Sequence, residues 1–326
     1  MFHDILFLIL GLGFVLLGAN FLTDGASAIA RRFHVSELII GVTIVAFGSS
    51  TPDLVVCLTS TLSGKAAMAV GSIVGANIFD ILLVIGVCAV IHPILVGKST
   101  LQKEFPMVIL SSLVLSLMAF DVLIDRAHVN LINRTDGLIL LCFFAINCYI
   151  TYKIAKSPDT ETTTAGNTSK NPKTIKMGIA SVMVVIGLAG LIVGGKWFVA
   201  NASSIAARCG MSESLIGLTI VAIGSSLPDL STSVVAAAKG HSDIAVGNVV
   251  GSCVLNVFFI IGLCATIRPL DLGTINWIDF AVLTGGSVLL WIFGWMWGKS
   301  TIRRSEGVML ILCYVGYMCY LILSNK

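Results

Sequence analysis

The sequence predicts an all-α membrane protein of ten transmembrane helices, arranged as two inverted five-helix repeats. Three observations predict it. Only 11% of the 326 residues are charged and 56% are hydrophobic, against about 25% charged in soluble proteins. Apolar runs near the bilayer-spanning length of about 20 residues recur along the whole chain. The chain also repeats itself: GVTIVAFGSSTPDL (41–54) and GLTIVAIGSSLPDL (217–230) agree at 11 of 14 positions. A period this long is read before any single element.

The repeat offset is 176 residues. It extends back to Ser36-Glu37 against Ser212-Glu213, and forward to AVGSIVGANIFDILLVIG (69–86) against AVGNVVGSCVLNVFFIIG (245–262). Pro93 and Gly97 match Pro269 and Gly273, and near the end of each half the offset drifts to 170, where RTDG (134–137) meets RSEG (304–307). The first half, residues 1–154, holds apolar segments at 5–22, 38–61, 67–91, 105–121 and 136–152. The second, residues 177–326, holds them at 178–199, 215–237, 243–266, 276–297 and 306–323. Five spans per half force the second copy to enter from the opposite side, a plan used by secondary transporters.

The N-terminal run reads as a span and not as a signal peptide, because it carries Asp4 and no early Lys or Arg. Residues 155–176 between the halves are polar and rich in Thr, Ser and Asn, and read as a solvated linker. With the N-terminus outside, the 20 Lys and Arg divide thirteen inside to seven outside. That bias puts both termini outside and the linker in the cytoplasm. The nine cysteines have no C-x-x-C pair and read as small buried hydrophobes. The net charge of +3 gives no footing for nucleic acid, and no protein partner is required.

Three acids stand inside the spans: Asp53, Asp80 and Asp229. A carboxylate at a span centre costs about 2.5–3.5 kcal/mol on insertion scales. No Lys or Arg in the second, third, seventh or eighth span offers a counter-charge, which leaves bound cations or protons to supply it. Ser49 and Ser50 precede Asp53 by four and three residues, so one helix face gathers all three, and Ser225, Ser226 and Asp229 repeat the pattern. Asp80 follows Ala76 by four residues, as Asn256 follows Ser252. Pro52 and Pro228 lack an N–H and free carbonyls near Gly48 and Gly224, with Ala46 and Ala222 placed to turn theirs inward. Such a set of hard oxygens suits Na⁺, Ca²⁺ or Mg²⁺. GSIVG and GNVVG read as small-residue seams for close helix packing.

The paired stretches GSSTPDL and GSSLPDL, with GSIVGANIFD and GNVVGSCVLN, resemble the α-repeats of the sodium/calcium exchanger (cation/Ca²⁺ antiporter) superfamily, over essentially the whole chain. The resemblance implies a Ca²⁺/Na⁺ antiporter without enzymatic activity or cofactor, of the prokaryotic kind and seated in a bacterial inner membrane. It implies a mid-membrane site with Asp53 and Asp229 as central acids and Asp80 with Asn256 as the second tier. Ser49, Ser225, Ser252 and the carbonyls of Ala46 and Ala222 would take the Na⁺ positions, and Ser50 and Ser226 would support the bends. It departs from the family pattern in using Asp for the usual central Glu, and in Ala76 where Ser is common. PDL together with NIFD resembles the potassium-dependent exchangers, so K⁺ co-transport is one alternative, and a proton-coupled exchanger with Asp80 as the protonated partner is another. An intramembrane aspartyl protease would resemble Y-D and G-x-G-D motifs, which are absent. A channel fits poorly with charge placed this deep.

Overall fold

The computed structural model describes residues 2–33, 35–97, 100–120, 130–155, 177–208, 222–273, 275–295 and 301–324. The first half builds α1 (Phe2–Phe33), α2 (Glu37–Ser49), α3 (Thr51–Leu62), α4 (Ala66–Ile91), α5 (Thr100–Met118) and α6 (Arg134–Ala155). The second builds α7 (Met177–Arg208), α8 (Ala222–Ser225), α9 (Leu227–Ala238), α10 (Ser242–Ile267), α11 (Trp277–Trp295) and α12 (Arg304–Ser324). Among the described residues eight helices are long and apolar enough to cross a membrane, or nine if α2 and α3, bent by 46°, form one broken span. The linker and the start of the seventh predicted span, 215–221, lie outside the described residues.

The spans differ from the expected segments in three ways. α1 and α7 run to Phe33 and Arg208, beyond the expected ends at 22 and 199. Their polar ends are tied down: Asp24 pairs with Lys239 at 2.7 Å, and Arg208 with Asp4 at 3.1 Å. α5 starts at Thr100, five residues early, because a widened π turn over Thr100–Glu104 keeps the chain helical there. The second segment, 38–61, is not one helix but two, divided at Ser50. Four of the described cysteines, Cys57, Cys88, Cys253 and Cys264, are buried as expected. Cys142, Cys148, Cys313 and Cys319 instead face outward, on the outer faces of α6 and α12.

Contacts occur in exchanged pairs. β1 (Ile94–Leu95) pairs antiparallel with β4 (Thr301–Ile302), Ile94 opposite Ile302. β2 (Leu131–Ile132) pairs the same way with β3 (Leu270–Asp271), Ile132 opposite Leu270. With the offsets of 176 and 170 these are one contact made twice, the halves trading places. Gly86 of α4 against Gly307 of α12 and Gly262 of α10 against Gly137 of α6 form a second such pair. The turns after α3 and α9 match as well, each on a glycine of positive φ, Gly64 at 77° and Gly240 at 82°.

α1 and α7 cross through a glycine seam. Gly11 meets Gly194, Gly18 meets Gly187, and Gly25 meets Ala180. Rising numbers in one helix meet falling numbers in the other, so these two copies of one segment run antiparallel. A Cβ at Gly194 would stand 2.6 Å from the Gly11 carbonyl oxygen, so only glycine permits this approach. α2 and α10 instead run parallel, Leu38 and Val42 against Gly247 and Val42 with Ala46 against Gly251. The core lies around α4 and α10, the most buried of the spans, while α1, α6, α7 and α12 form the outer wall.

Candidate functional site

The two broken spans make the site. α2 ends at Ser49; Ser50 turns the chain with φ −81° and ψ 0°, and Ser226 repeats this with φ −91° and ψ 4°. Pro52 and Pro228 are second residues of new helices, where a missing N–H costs nothing and a fixed φ helps. Asp53 and Asp229 therefore fall in first turns, where the helix dipole favours negative charge. The proline does not merely kink a span: it starts a helix whose positive end holds the acid. The Ser50 and Ser226 hydroxyls make no cap hydrogen bond, and it is their backbone angles that turn the chain.

Asp53 is 1% exposed, and Asp80, Asp229 and Asn256 are 0% exposed. The described ion pairs are Arg208–Asp4, Lys239–Asp24 and His241–Glu37, and none includes these acids. Among the described residues, both carboxylate oxygens of Asp53 and of Asp80, Oδ2 of Asp229 and Oδ1 of Asn256 have no well-formed hydrogen bond. The Ser225 hydroxyl faces Asp53. Asp229 lies within electrostatic reach of both Asp53 and Asp80. Among the described residues, however, no three acidic, imidazole or thiol groups converge on one point. The charge is spread along a path and not gathered into one shell.

The first tier sits where the halves meet. The Ser49 hydroxyl lies 2.9 Å from the Val45 carbonyl, 3.2 Å from that of Ala46 and 2.9 Å from Oδ1 of Asn248. One proton serves three acceptors, so lone pairs are in surplus. The Ala46 carbonyl keeps its helical partner, accepting the Ser50 N–H at 2.9 Å, and has only its second lone pair to offer. Ala222 opens α8 one turn before Ser226. Ser252 donates to Oδ1 of Asp229 at 3.0 Å.

The second tier sits in widened π turns, Asp80 within Phe79–Val84 and Asn256 opening Asn256–Ile261. Such turns leave helical hydrogen bonding irregular and recur at functional sites. The Asn256 amide donates to Oδ1 of Asn77 at 2.9 Å, and Asn77 donates to the Cys253 carbonyl at 3.2 Å.

Buried residues here that escaped the sequence reading include Asn77, Thr232 and Asn248. Their mirrored positions are Cys253, Val56 and Ser72, so the duplication that exposed the acids hid these residues. GNVVG read as a packing seam, and its asparagine proves to be a hydrogen-bonding hub. Attention to amides within apolar runs would have found Asn77 and Asn248.

The family model described as sodium/calcium exchanger protein matches residues 3–153 and 179–323. The chain is 36% identical to the putative antiporter CaxA of Alkalimonas amylolytica, and 29% identical to the sodium/calcium exchanger MaX1 of Methanosarcina acetivorans, over 98% of each chain. It superposes on the solved sodium-calcium exchanger NCX_Mj with a TM-score of 0.82, at 28% identity and over 98% of both chains. The matched segments take in both broken spans and both widened turns, and the chain is an integral, multi-pass membrane protein that belongs to the sodium/calcium exchanger family.

Proposed function

We propose that this protein exchanges Ca²⁺ for Na⁺ across a bacterial inner membrane, by alternating access at the site between the two broken spans. It does so with ten spans in two inverted halves, residues 1–154 and 177–326, joined by a cytoplasmic linker with both termini outside. The observation that carries this reading is six acceptor oxygens on buried Asp53, Asp80, Asp229 and Asn256, with no well-formed hydrogen bond and no basic partner among the described residues. Buried carboxylates left in that state are costly, and a cation removes the cost. The exchanged contacts and the antiparallel crossing of α1 and α7 support the inverted plan.

Ca²⁺ takes six to eight oxygens in flexible geometry. Asp53, Asp229, the carbonyls of Ala46 and Ala222, and water supply such a set. Several Na⁺ spread instead over the same acids with Ser49, Ser225, Ser252, Asp80 and Asn256. The separation of the acids suits small monovalent ions in neighbouring positions, so the two cargoes compete. An empty site leaves charge buried, which makes the unloaded carrier slow to switch sides and couples the fluxes. The moving part is the α1–α7 pair, whose broadest contact is with each other and which carries no site acid.

The test is ⁴⁵Ca²⁺ uptake into proteoliposomes under imposed Na⁺, K⁺ or H⁺ gradients, one at a time. An outward Na⁺ gradient should drive uptake. Uptake driven only by a pH gradient would reassign the coupling ion, an added K⁺ requirement would make the exchanger potassium-dependent, and no gradient-driven uptake at all would overturn the reading.

A further inference from the structure

Asn248 is the seventh residue of α10 and is wholly buried. Its Oδ1 accepts from the Ser49 hydroxyl at 2.9 Å. Its Nδ2 faces Oδ1 of Asp229 at 3.3 Å, the Asp229 carbonyl at 3.4 Å and the Ser233 hydroxyl at 2.9 Å. The amide has one sensible orientation, because turning it over would set its oxygen against the carboxylate. A single side chain thus joins the end of α2, in the first half, to the central acid of the second.

The mirrored residue does nothing comparable. Ser72 is half-buried and spends its hydroxyl on the Ala69 carbonyl of its own helix, at 2.9 Å. Asp229 is consequently held by Asn248 and by Ser252 with the Ser49 hydroxyl close by, while Asp53 has the Ser225 hydroxyl close by and, at the position that mirrors Ser252, Ala76. A duplicated site has been made unequal.

The geometry points to Asn248 as a positioning residue that sets cargo preference: it fixes the Asp229 carboxylate as a preformed Ca²⁺ ligand and leaves Asp53 to close on the ion. The inference rests on the cation site proposed above. Fixed ligands lower the ordering cost of binding, and the chain Ser49–Asn248–Asp229 makes that ordering depend on Ser49, a residue offered to Na⁺. A Na⁺ that draws the Ser49 oxygen toward itself loosens the amide from one side, and so weakens the hold on Asp229. Competition between the cargoes then runs through this amide as well as through shared ligands.

The experiment is a double-mutant cycle read by equilibrium ⁴⁵Ca²⁺ binding to the purified full-length protein, with Na⁺ as competitor. Asn248→Ser, which restores the mirrored residue, should raise half-saturating Ca²⁺ at least about tenfold. Asp229→Glu, which pushes the carboxylate off its donors, should weaken binding too, and the double variant should be little weaker than the worse single one. Asn248→Ser and Asp53→Glu should instead multiply, because Asp53 does not touch the amide. A residue that only packs would give multiplying effects in both cycles, and that outcome overturns the inference while leaving the site intact. If Asn248→Ser is not monodisperse, Asn248→Thr fills more of the space and carries the same expectation. Wild-type protein without saturable Ca²⁺ binding would overturn both the site and this role for Asn248.

Discussion

Ser252 donates to Oδ1 of Asp229 over 3.0 Å, and the mirrored position beside Asp53 holds Ala76. The hydroxyl missing at position 76 is one of the places where the two halves differ within the site. Ala76→Ser should supply Asp53 with a hydroxyl and add one hard-oxygen ligand in the first half. We expect the Na⁺ concentration for half-maximal Ca²⁺ efflux to fall about three- to tenfold, the worth of about one good polar contact. An unchanged Na⁺ dependence would mean that residue 76 does not face the ion path.

Asp53→Asn and Asp229→Asn should each reduce Na⁺-driven Ca²⁺ flux by more than about a hundredfold, since removing one partner of a buried charge pair costs about 3–5 kcal/mol. Neither should lower the thermal unfolding temperature in detergent without Ca²⁺, because each removes a buried charge that no basic group among the described residues neutralises. Flux and unfolding measured on the same preparations separate the two effects. Substantial exchange in either variant would place the ion elsewhere.

The turns at Gly64 and Gly240 correspond, yet the inverted plan puts them on opposite sides of the membrane. In a background with the nine native cysteines replaced, Ser63→Cys should react with an impermeant maleimide in intact cells. Lys239→Cys should react only after permeabilisation. Labelling of both from the same side would contradict the topology. Lys239 also pairs with Asp24, but a bridge this exposed should contribute only about 0–1 kcal/mol.

The glycine seam should resist even one methyl group. A Cβ at Gly187 would lie 2.6 Å from the backbone nitrogen of Leu22, and one at Gly194 2.6 Å from the Gly11 carbonyl oxygen. Gly187→Ala and Gly194→Ala should each destabilise by about 1–3 kcal/mol, the usual cost of overpacking. Gly285 of α11 has nothing within 4 Å of its would-be Cβ. There the same change should be neutral or stabilising by up to about 1 kcal/mol, because alanine favours the helix. Thermal unfolding of the three variants gives the contrast; equal behaviour would mean that α1 and α7 are not held in this close approach.

The sequence made the duplication legible because both copies keep Gly, Ser, Pro and Asp at fixed places, and a buried aspartate without a basic neighbour stands out in an apolar run. It also marked a proline bend in the second span, though not its division into two helices. It did not show that Pro52 starts a new helix, since a proline reads equally as an interruption and as a first-turn residue. The lengths of α1 and α7 were hidden because Asp24 and Arg208 look like span ends until their partners, Lys239 and Asp4, are brought near by the fold. Asn77 and Asn248 were hidden for a different reason. Each acts across the boundary between halves, and contacts 176 and 199 residues apart leave no local pattern.

The widened turns at Phe79–Val84 and Asn256–Ile261 have a consequence for the phase of the helices that carry them. Each accommodates a residue that a regular coil would not, and everything downstream is rotated by about 100° relative to an uninterrupted α-helix. That rotation lets one rod offer Asp80 inward and, six residues later, aim Gly86 at the crossing with Gly307. Deleting any one residue between 79 and 84 would let the coil close, swing Gly86 off its neighbour and drive a bulkier side chain into the crossing. A one-codon deletion there should injure this protein more than most single substitutions on the same face.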